Sequence, residues 1–472
     1  MDRKDWMSTR NWLDRKDGAD RRGINQDENR NIGRNKDRRE FLRCSILSVL
    51  GTVGVSCYIL ADTFFVAKGL GSNGLAALNL AIPVYNFIHG SGLMIGMGSG
   101  IAFSIAKSQH NKRLADRIYV HSLGLAFTFS ALFLVIGLFF SDQLAKLLGA
   151  DTGLFEMTRT YLFWLLFFAP AFILNDIFLC FVRNDGSEQL AMIGMLVGSL
   201  ANVFLDYLFI FPLNMGIFGA ILATGLSPLI SMLCLSKHWL TKKNSFHLVT
   251  TRMELHLIGQ SLSLGFPSLI AQISSGVVMI LFNALILRLS GNIAVAAYGI
   301  IANLALVLNA VDTGIIQGAQ PLISRAYGTG NRRQARVYLR YSMIFMLCVS
   351  IASYLFLFAF SGPVVSVFNS EHNRMLEQTA TLGLKLYFLA APFIGYNVIQ
   401  TTYLSAVNRS WQAHVLSLAR GLVVVVPAAF IMAYLFGLNG IWLTCLVSEF
   451  FVAIAGIAMD FFLQRKVMNY EN

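Results

Sequence analysis

The chain has 472 residues, of which 56% are hydrophobic and only 13% charged, and its mean hydropathy is +0.60. A soluble chain of this length carries about 25% charged residues, so a water-soluble globular protein is excluded. The formal net charge of +12 would fit a nucleic-acid binder, but thirteen of the 37 Lys and Arg residues precede Cys44, and most of the others fall in alternate loops between apolar runs.

Residues 1–43 hold nine acids against thirteen bases and show no apolar period. They also lack the apolar core of a cleaved signal peptide, so the expectation is a disordered cytoplasmic extension. Twelve apolar runs long enough to cross a ~30 Å hydrocarbon core follow. They lie at 44–66, 76–106, 118–140, 158–182, 189–211, 218–236, 257–287, 294–324, 338–360, 380–404, 415–436 and 441–463. The runs at 76–106, 257–287 and 294–324 exceed the membrane thickness and should tilt, bend or project from it. With the N-terminus inside, the inner loops carry 17 Lys and Arg residues and the outer loops four. That asymmetry predicts both termini in the cytoplasm. The six cysteines are scattered singly, and His110, His121, His238, His247 and His256 lie near inner loops without metal-ligand spacing. The phrase GLGSNG (69–74) lacks the setting of a phosphate loop and reads as a short outer turn.

The chain repeats itself at a spacing of about 220. Gly71 and Ala76-Ala77 recur as Gly291 and Ala296-Ala297, and Gly98, Ser104, Asn111, Arg113 and Ala115 recur as Gly318, Ser324, Asn331, Arg333 and Ala335. Pro170 and Asn175 match Pro392 and Asn397, while Gly216 and Gly219 match Gly437 and Gly440. The predicted fold is therefore an all-α polytopic membrane protein with twelve transmembrane helices in two pseudo-symmetric six-helix bundles. The boundaries are 44–236 and 257–465, with a cytoplasmic linker at 237–256 and a tail at 466–472. Six spans per half is an even number, so the halves share one orientation and should face each other across a central cleft.

Acids inside these runs carry the functional argument. A carboxylate at a helix centre costs at least ~2.5–3.5 kcal/mol on insertion scales and persists where it binds an ion, relays a proton or meets a partner. Asp206 lies within 189–211 with Asn202 one turn before it on the same face, and Asp62 lies within 44–66. Two such carboxylates in one cleft resist ionising together and titrate as a pair. At the repeat positions stand Phe282, Val423 and Pro427, and Cys445 answers Thr224. This asymmetry assigns a special task to the first half. Asp176, Gln272, Asp312, Gln320, Asn397 and Glu449 are expected to line the cleft, and Arg420 to reach toward the inner headgroups.

Three stretches resemble the multidrug and toxic compound extrusion family, in its bacterial multidrug-pump branch. They are ADTFFVAKGLGSNGLAALNLAIPVYNF (61–87), FVRNDGSEQLAMIGMLVGSLANVFLDYLFIFPLNMGIFGAILATGLSP (181–228) and QGAQPLISRAYGTGNRRQAR (317–336). The resemblance runs from about residue 42 to 465. It implies exchange of H⁺ or Na⁺ for amphipathic, often cationic, drugs. It also implies a cation site at Asp62, Asn202, Asp206 and Thr224, with Na⁺ a possible ligand there. The family's alternative glutamate in the seventh span has no counterpart, since 257–287 holds no acid, and the first span lacks the proline of many relatives. Gly51 and Gly54 are what remains to permit a bend there.

The expectation is a cation-coupled antiporter in the cytoplasmic membrane of a bacterium, monomeric, working on hydrophobic or cationic small molecules. It needs the lipid bilayer, no nucleic acid and no cofactor beyond the transported ion. A lipid-linked oligosaccharide flippase shares the architecture, but its cleft would carry several basic residues, and these spans offer only Arg420 and Lys385. A membrane receptor that moves nothing is the other alternative. An enzyme is not expected, because no nucleophile–base or metal constellation is present.

Overall fold

The computed structural model describes residues 35–368, 373–459 and 461, and these contain helices and connections but no strand. Eight helical segments are long and apolar enough to cross a membrane, and the pair Phe155–Phe167 and Ala169–Asn184, bent by 46°, makes a further crossing. Two segments, Asn35–Ser108 and Leu255–Gly328, run for 74 residues each. At 1.5 Å per residue that is about 110 Å, far beyond a ~30 Å core, so each must fold back on itself.

Glycine does this. Gly71 has φ 68° and ψ −161°, and Gly291 has φ 71° and ψ −165°. No L side chain enters that region without a steric cost, and the two positions are repeat mates. Gly437 (φ 58°) divides Ser410–Met459 in the same way. Twelve spans result among the described residues. We label them α1 (35–70), α2 (72–108), α3 (Lys112–Leu147), α4 (Phe155–Asn184, with its bend), α5 (Glu188–Ile210), α6 (Gly216–Leu235), α7 (255–290), α8 (292–328), α9 (Arg332–Ala359), α10 (Arg374–Ala406), α11 (410–436) and α12 (438–459). The repeat extends to the caps: Asn111 accepts from the Leu114 N–H at 3.1 Å, and Asn331 from the Gln334 N–H at 3.0 Å. Such a cap satisfies one of the orphan donors of a helix start.

Each half has its own apolar core. Ile88, Phe103, Leu162 and Phe181 belong to the first, and Phe282, Tyr298, Leu384 and Trp442 to the second. The halves meet through backbone. A Cβ added to Gly98 of α2 would lie 1.9 Å from the Ser261 carbonyl oxygen of α7, and one added to Gly265 would lie 1.8 Å from that of Met94. Gly318 of α8 abuts Ser45 of α1 in the same way. Across this seam Asn184 and Gln320 form a reciprocal amide pair at 3.3 and 3.2 Å, and Ser104 Oγ donates to the Pro321 carbonyl at 3.4 Å. All these contacts lie toward the end of the bundle that carries the basic loops; that end is sealed. Gly51 and Gly54 lie in unbroken helix, where they admit Met195 and Leu196 of α5 rather than a bend.

The linker between the halves is strapped to the first one. Phe246 is fully buried among the rings of Phe103, Tyr119, Phe181, His238 and Trp239. Asp185, just past α4, gathers the surrounding chain: His238 Nε2 lies 2.8 Å from its carboxylate, the Ser245 N–H donates at 2.9 Å, and Lys107 Nζ and Ser245 Oγ also donate to it. The His121 Nε2 accepts from the Glu254 N–H at 2.8 Å, closing the strap against α3.

One expectation is corrected. Residues 35–43 were expected to be disordered with the rest of 1–43, yet they continue α1 as helix and pack on the second half. Phe41 is buried beside Tyr341 and Phe345, Glu40 bonds Arg325 at 2.6 Å and Tyr338 at 3.2 Å, and Asp37 accepts from Gln334 at 3.2 Å. Charge without an apolar period read as solvation, but these acids have partners almost 300 residues away. Residues 1–34 of that extension lie outside the described residues.

Burial works against ionisation of Asp185, but hydrogen bonds from His238, Lys107 and Ser245 outweigh it and hold the carboxyl below the usual carboxylate range. A carboxyl lowered on folding stabilises the protein above its unfolded value of ~3.9, and that stability is lost as pH falls through the lowered folded value. Asp185→Asn should therefore cost about 2–4 kcal/mol at pH 7, and the gap to the parent should narrow only below about pH 4. Thermal unfolding in detergent across pH measures this. Phe246→Ala should cost about 3–5 kcal/mol at any pH, read in the same assay.

Candidate functional site

Three spans of the first half, α1, α5 and α6, bring the predicted cation residues together. Asp62 lies nine residues before the Gly71 break, about 13 Å along α1, and Asp206 lies four residues before the end of α5. Both therefore sit toward the end of the bundle opposite the basic loops. Their carboxyl groups adjoin within hydrogen-bonding reach of each other. Asp62 is 8% exposed and Asp206 fully enclosed. No donor reaches Asp62 Oδ1 or either oxygen of Asp206, and both amide atoms of the buried Asn202 are likewise without a partner. Thr224 of α6 is buried and donates to its own helix, to the Ala220 carbonyl at 3.1 Å. Tyr161 of α4 lies beside Thr224 and within electrostatic reach of both aspartates.

So many unpartnered polar atoms in one enclosed place is unusual, because buried polar groups are as a rule hydrogen-bonded. Among the described residues no three or more His, Cys, Asp or Glu side chains group as a metal site. The donor set here is two carboxylates, one amide oxygen and one hydroxyl. That set matches a hard monovalent cation or a proton, not zinc or another soft metal.

A second polar chain leads away from this pair. Tyr58, one turn before Asp62, shares a hydroxyl hydrogen bond with Tyr85 of α2 at 3.3 Å. Tyr85 stacks on His89 with ring centroids 5.9 Å apart, and His89 Nδ1 lies 2.8 Å from Asp176 Oδ2. Sequence reasoning did not single out Tyr58, Tyr85, His89 or Tyr161. A histidine inside the apolar run 76–106 was the available signal; the tyrosines are common in spans and gave none.

The residues expected to line the cleft separate into three places. Asp176 faces His89 in the first half. Gln272 is half-buried at the seam, its Cβ meeting the face of Gly90. Gln320 is 1% exposed and committed to Asn184 and Ser324 in the seal between halves, so it is no lining residue in this state. Asp312, Asn397 and Glu449 gather inside the second half. There Arg420 donates to Glu449 Oε1 at 2.7 Å, and Asn397 donates to Oε2 at 2.7 Å and to the Glu449 carbonyl at 2.8 Å. Arg420 was expected to extend toward headgroups. An ion pair inside the bundle holds it instead, because a guanidinium in apolar surroundings gains more from a carboxylate at contact than from a distant interface.

The profile of the MatE family matches residues 48–208 and 267–431 of this chain, one stretch in each half. The chain is 25% identical over 438 residues to a multidrug export protein MepA of Staphylococcus aureus (strain MRSA252), covering 91% of this chain and 94% of that protein. A multidrug export protein MepA of Staphylococcus saprophyticus is 25% identical over 433 residues, covering 90% and 94%. Among solved structures, MATE in complex with MaL6 superposes with a TM-score of 0.85 at 24% identity, covering 90% of this chain and 95% of that one. A multidrug resistance MATE family transporter in an outward-facing conformation gives 0.84 at 23% identity with the same coverage. With a family profile spanning both halves and the twelve-span fold shared, this chain belongs to the MatE family of multi-pass membrane transporters.

Proposed function

We propose that this protein is a cation-coupled antiporter that exports amphipathic, often cationic, drugs across a bacterial cytoplasmic membrane by alternating access. The observation that carries the reading is the contact between Asp62 and Asp206. Ionised carboxylates only accept hydrogen bonds, so two of them in contact need a proton or a cation between them. Asn202 and Thr224 supply the neutral oxygens that would complete the shell of Na⁺, and Tyr161 closes the side toward α4.

The sealed end carries the basic loops, which the positive-inside rule assigns to the cytoplasm. The pair then lies toward the outside, the side from which an external cation would reach it. Binding neutralises the pair and favours the close packing of α1 on α5 that Gly51 and Gly54 make against Met195 and Leu196. Release to the cytoplasm requires the Gly98–Ser261 and Gly265–Met94 contacts to part. Moving one charge through ~100 mV supplies about 2.3 kcal/mol per cycle, enough for roughly fiftyfold accumulation of an uncharged load. A flippase for a pyrophosphate-linked sugar is disfavoured further by Arg420, whose guanidinium is engaged by Glu449.

Asp206→Asn should abolish gradient-driven ethidium efflux in inverted vesicles, with pH and sodium gradients imposed separately, while expression stays at the parental level. Normal pumping by that variant sinks the reading. Asn202→Ala and Thr224→Val each remove one neutral ligand. Each should raise the half-saturating cation concentration about tenfold, equivalent to ~1.4 kcal/mol, with the maximal rate within about twofold.

A further inference from the structure

Three histidines fasten the linker to the first half, and they meet different chemistry. His238 Nε2 lies 2.8 Å from the Asp185 carboxylate. His247 Nδ1 lies 3.6 Å from the carboxylate of Asp116, which also accepts the His247 N–H at 2.8 Å. A positive charge on either ring strengthens its contact. His121 is the reverse. Its Nδ1 lies 2.7 Å from the Arg117 carbonyl, one turn back on α3, and its Nε2 lies 2.8 Å from the Glu254 backbone nitrogen. A carbonyl only accepts and a peptide N–H only donates, so Nδ1 carries the hydrogen and Nε2 is bare. The ring is fully buried, and this geometry suits neutral imidazole alone. A proton on Nε2 would set N–H against N–H.

The contact sits where the linker becomes the second half. The Glu254 carbonyl accepts the first helical hydrogen bond of α7, from the Ile258 N–H at 3.2 Å. Ser261 and Gly265, which meet Gly98 and Met94 at the seam, follow within about 16 Å of helix. Two further contacts hold this point on α3: Arg117 pairs with the Glu254 carboxylate, and Met253 occupies the space that a Cβ on Gly124 would need. Pairing with Arg117 engages the Glu254 carboxylate, which could otherwise turn to a charged His121, and sets a guanidinium one turn from the ring. The other titratable groups of this face are engaged elsewhere or exposed. Lys107 of α2 and His238 gather on Asp185 beyond α4, Asp116 of α3 serves His247, and His256 of α7 is exposed.

Resting on the alternating-access reading above, we propose that His121 is a proton-operated catch on the cytoplasmic seal. Neutral His121 pins the start of α7 to α3 and so holds the halves closed at that end. An acidified cytoplasm charges the ring, casts off the Glu254 N–H and frees α7 to part from α2. The released linker takes up a proton that the fastened one has no place for, so falling pH favours release. Histidine changes charge between about pH 5 and pH 8. Over that range His238 and His247 tighten the linker as they charge, so loosening in acid is the mark of His121.

The test is amide hydrogen exchange of the full chain in lipid nanodiscs at about pH 8 and about pH 5.5, with rates corrected for the intrinsic effect of pH. In the parent, protection over 250–258 and over both faces of the seam, 94–98 and 259–265, should fall at least about fivefold in acid. His121→Gln places an amide oxygen near the position of Nε2 and does not titrate, so its protection should stay within about twofold between the two conditions. His121→Asn is too short to reach Glu254. It should be as loose at the higher pH as the parent is in acid, and it serves if His121→Gln does not fold. An unchanged parent overturns the proposal, and so does a pH response that persists in either variant. Loosening at 250–258 with the seam still protected overturns it as well. None of these readouts needs ethidium or an ion gradient, so normal pumping by Asp206→Asn would remove the coupling reading and leave this result standing.

Discussion

Two carboxyl groups side by side inside the bundle, with no donor at Asp62 Oδ1 or at either oxygen of Asp206, are the constraint around which this molecule is organised. Asp62 and Asp206 belong to α1 and α5, and neither helix could hold its aspartate alone without exposing it to lipid or water. The surrounding helices α4 and α6 contribute Tyr161 and Thr224, so the pair sits in an enclosure of four spans rather than a gap between two. An enclosure of that kind is stable only when its net charge is cancelled. In the proposed coupling, occupancy by a positive ion and close packing of α1 on α5 are linked through that cancellation.

That linkage reaches the other end of the protein through α1. Its upper part, near Phe65 and Gly69, lies on Phe211 and Ile210 of the first half. Its lower part, from Asp37 to Val49, lies on α8 and α9 of the second. One helix thus touches the carboxyl pair in one half and the seal against the other. The contacts below are of two kinds. Glycine-to-backbone approaches at Gly314 and Gly318 have no tolerance for sliding, whereas Glu40–Arg325 and Phe41 add a polar and aromatic latch. A close-packed seam is bistable rather than gradually deformable. A seal of this construction parts as a unit.

The two halves share a frame and differ in cargo. Repeat mates Gly71 and Gly291 make nearly the same break, and Asn111 and Asn331 the same cap. Where the first half has Asp62 the second has Phe282, fully buried in its own core, and Thr224 is answered by the buried Cys445. The second half instead places its charge at Asp312, Arg420 and Glu449, on different helices and at a different depth. Duplication supplied the scaffold, and the polar groups were set independently in each copy.

Much of this was legible in one dimension. Apolar runs, loop charge and a repeat near 220 dictate the twelve spans, because a bilayer admits only helices that satisfy their own backbone and tolerates few charges between their ends. Asp62 and Asp206 stood out for the same reason, since a carboxylate in an apolar run is costly enough to need an explanation, while Asn202 and Thr224 joined them through the family resemblance. What the sequence could not carry was partnership. That Gln320 is a clasp for Asn184, that Arg420 belongs to Glu449 and that Glu40 reaches Arg325 depends on which helix faces lie together, and no periodicity along the chain encodes that. Span identity follows from solvation, a property each segment has by itself. The carboxyl pair, the seal and the second charge cluster follow from packing, which exists only once the segments meet.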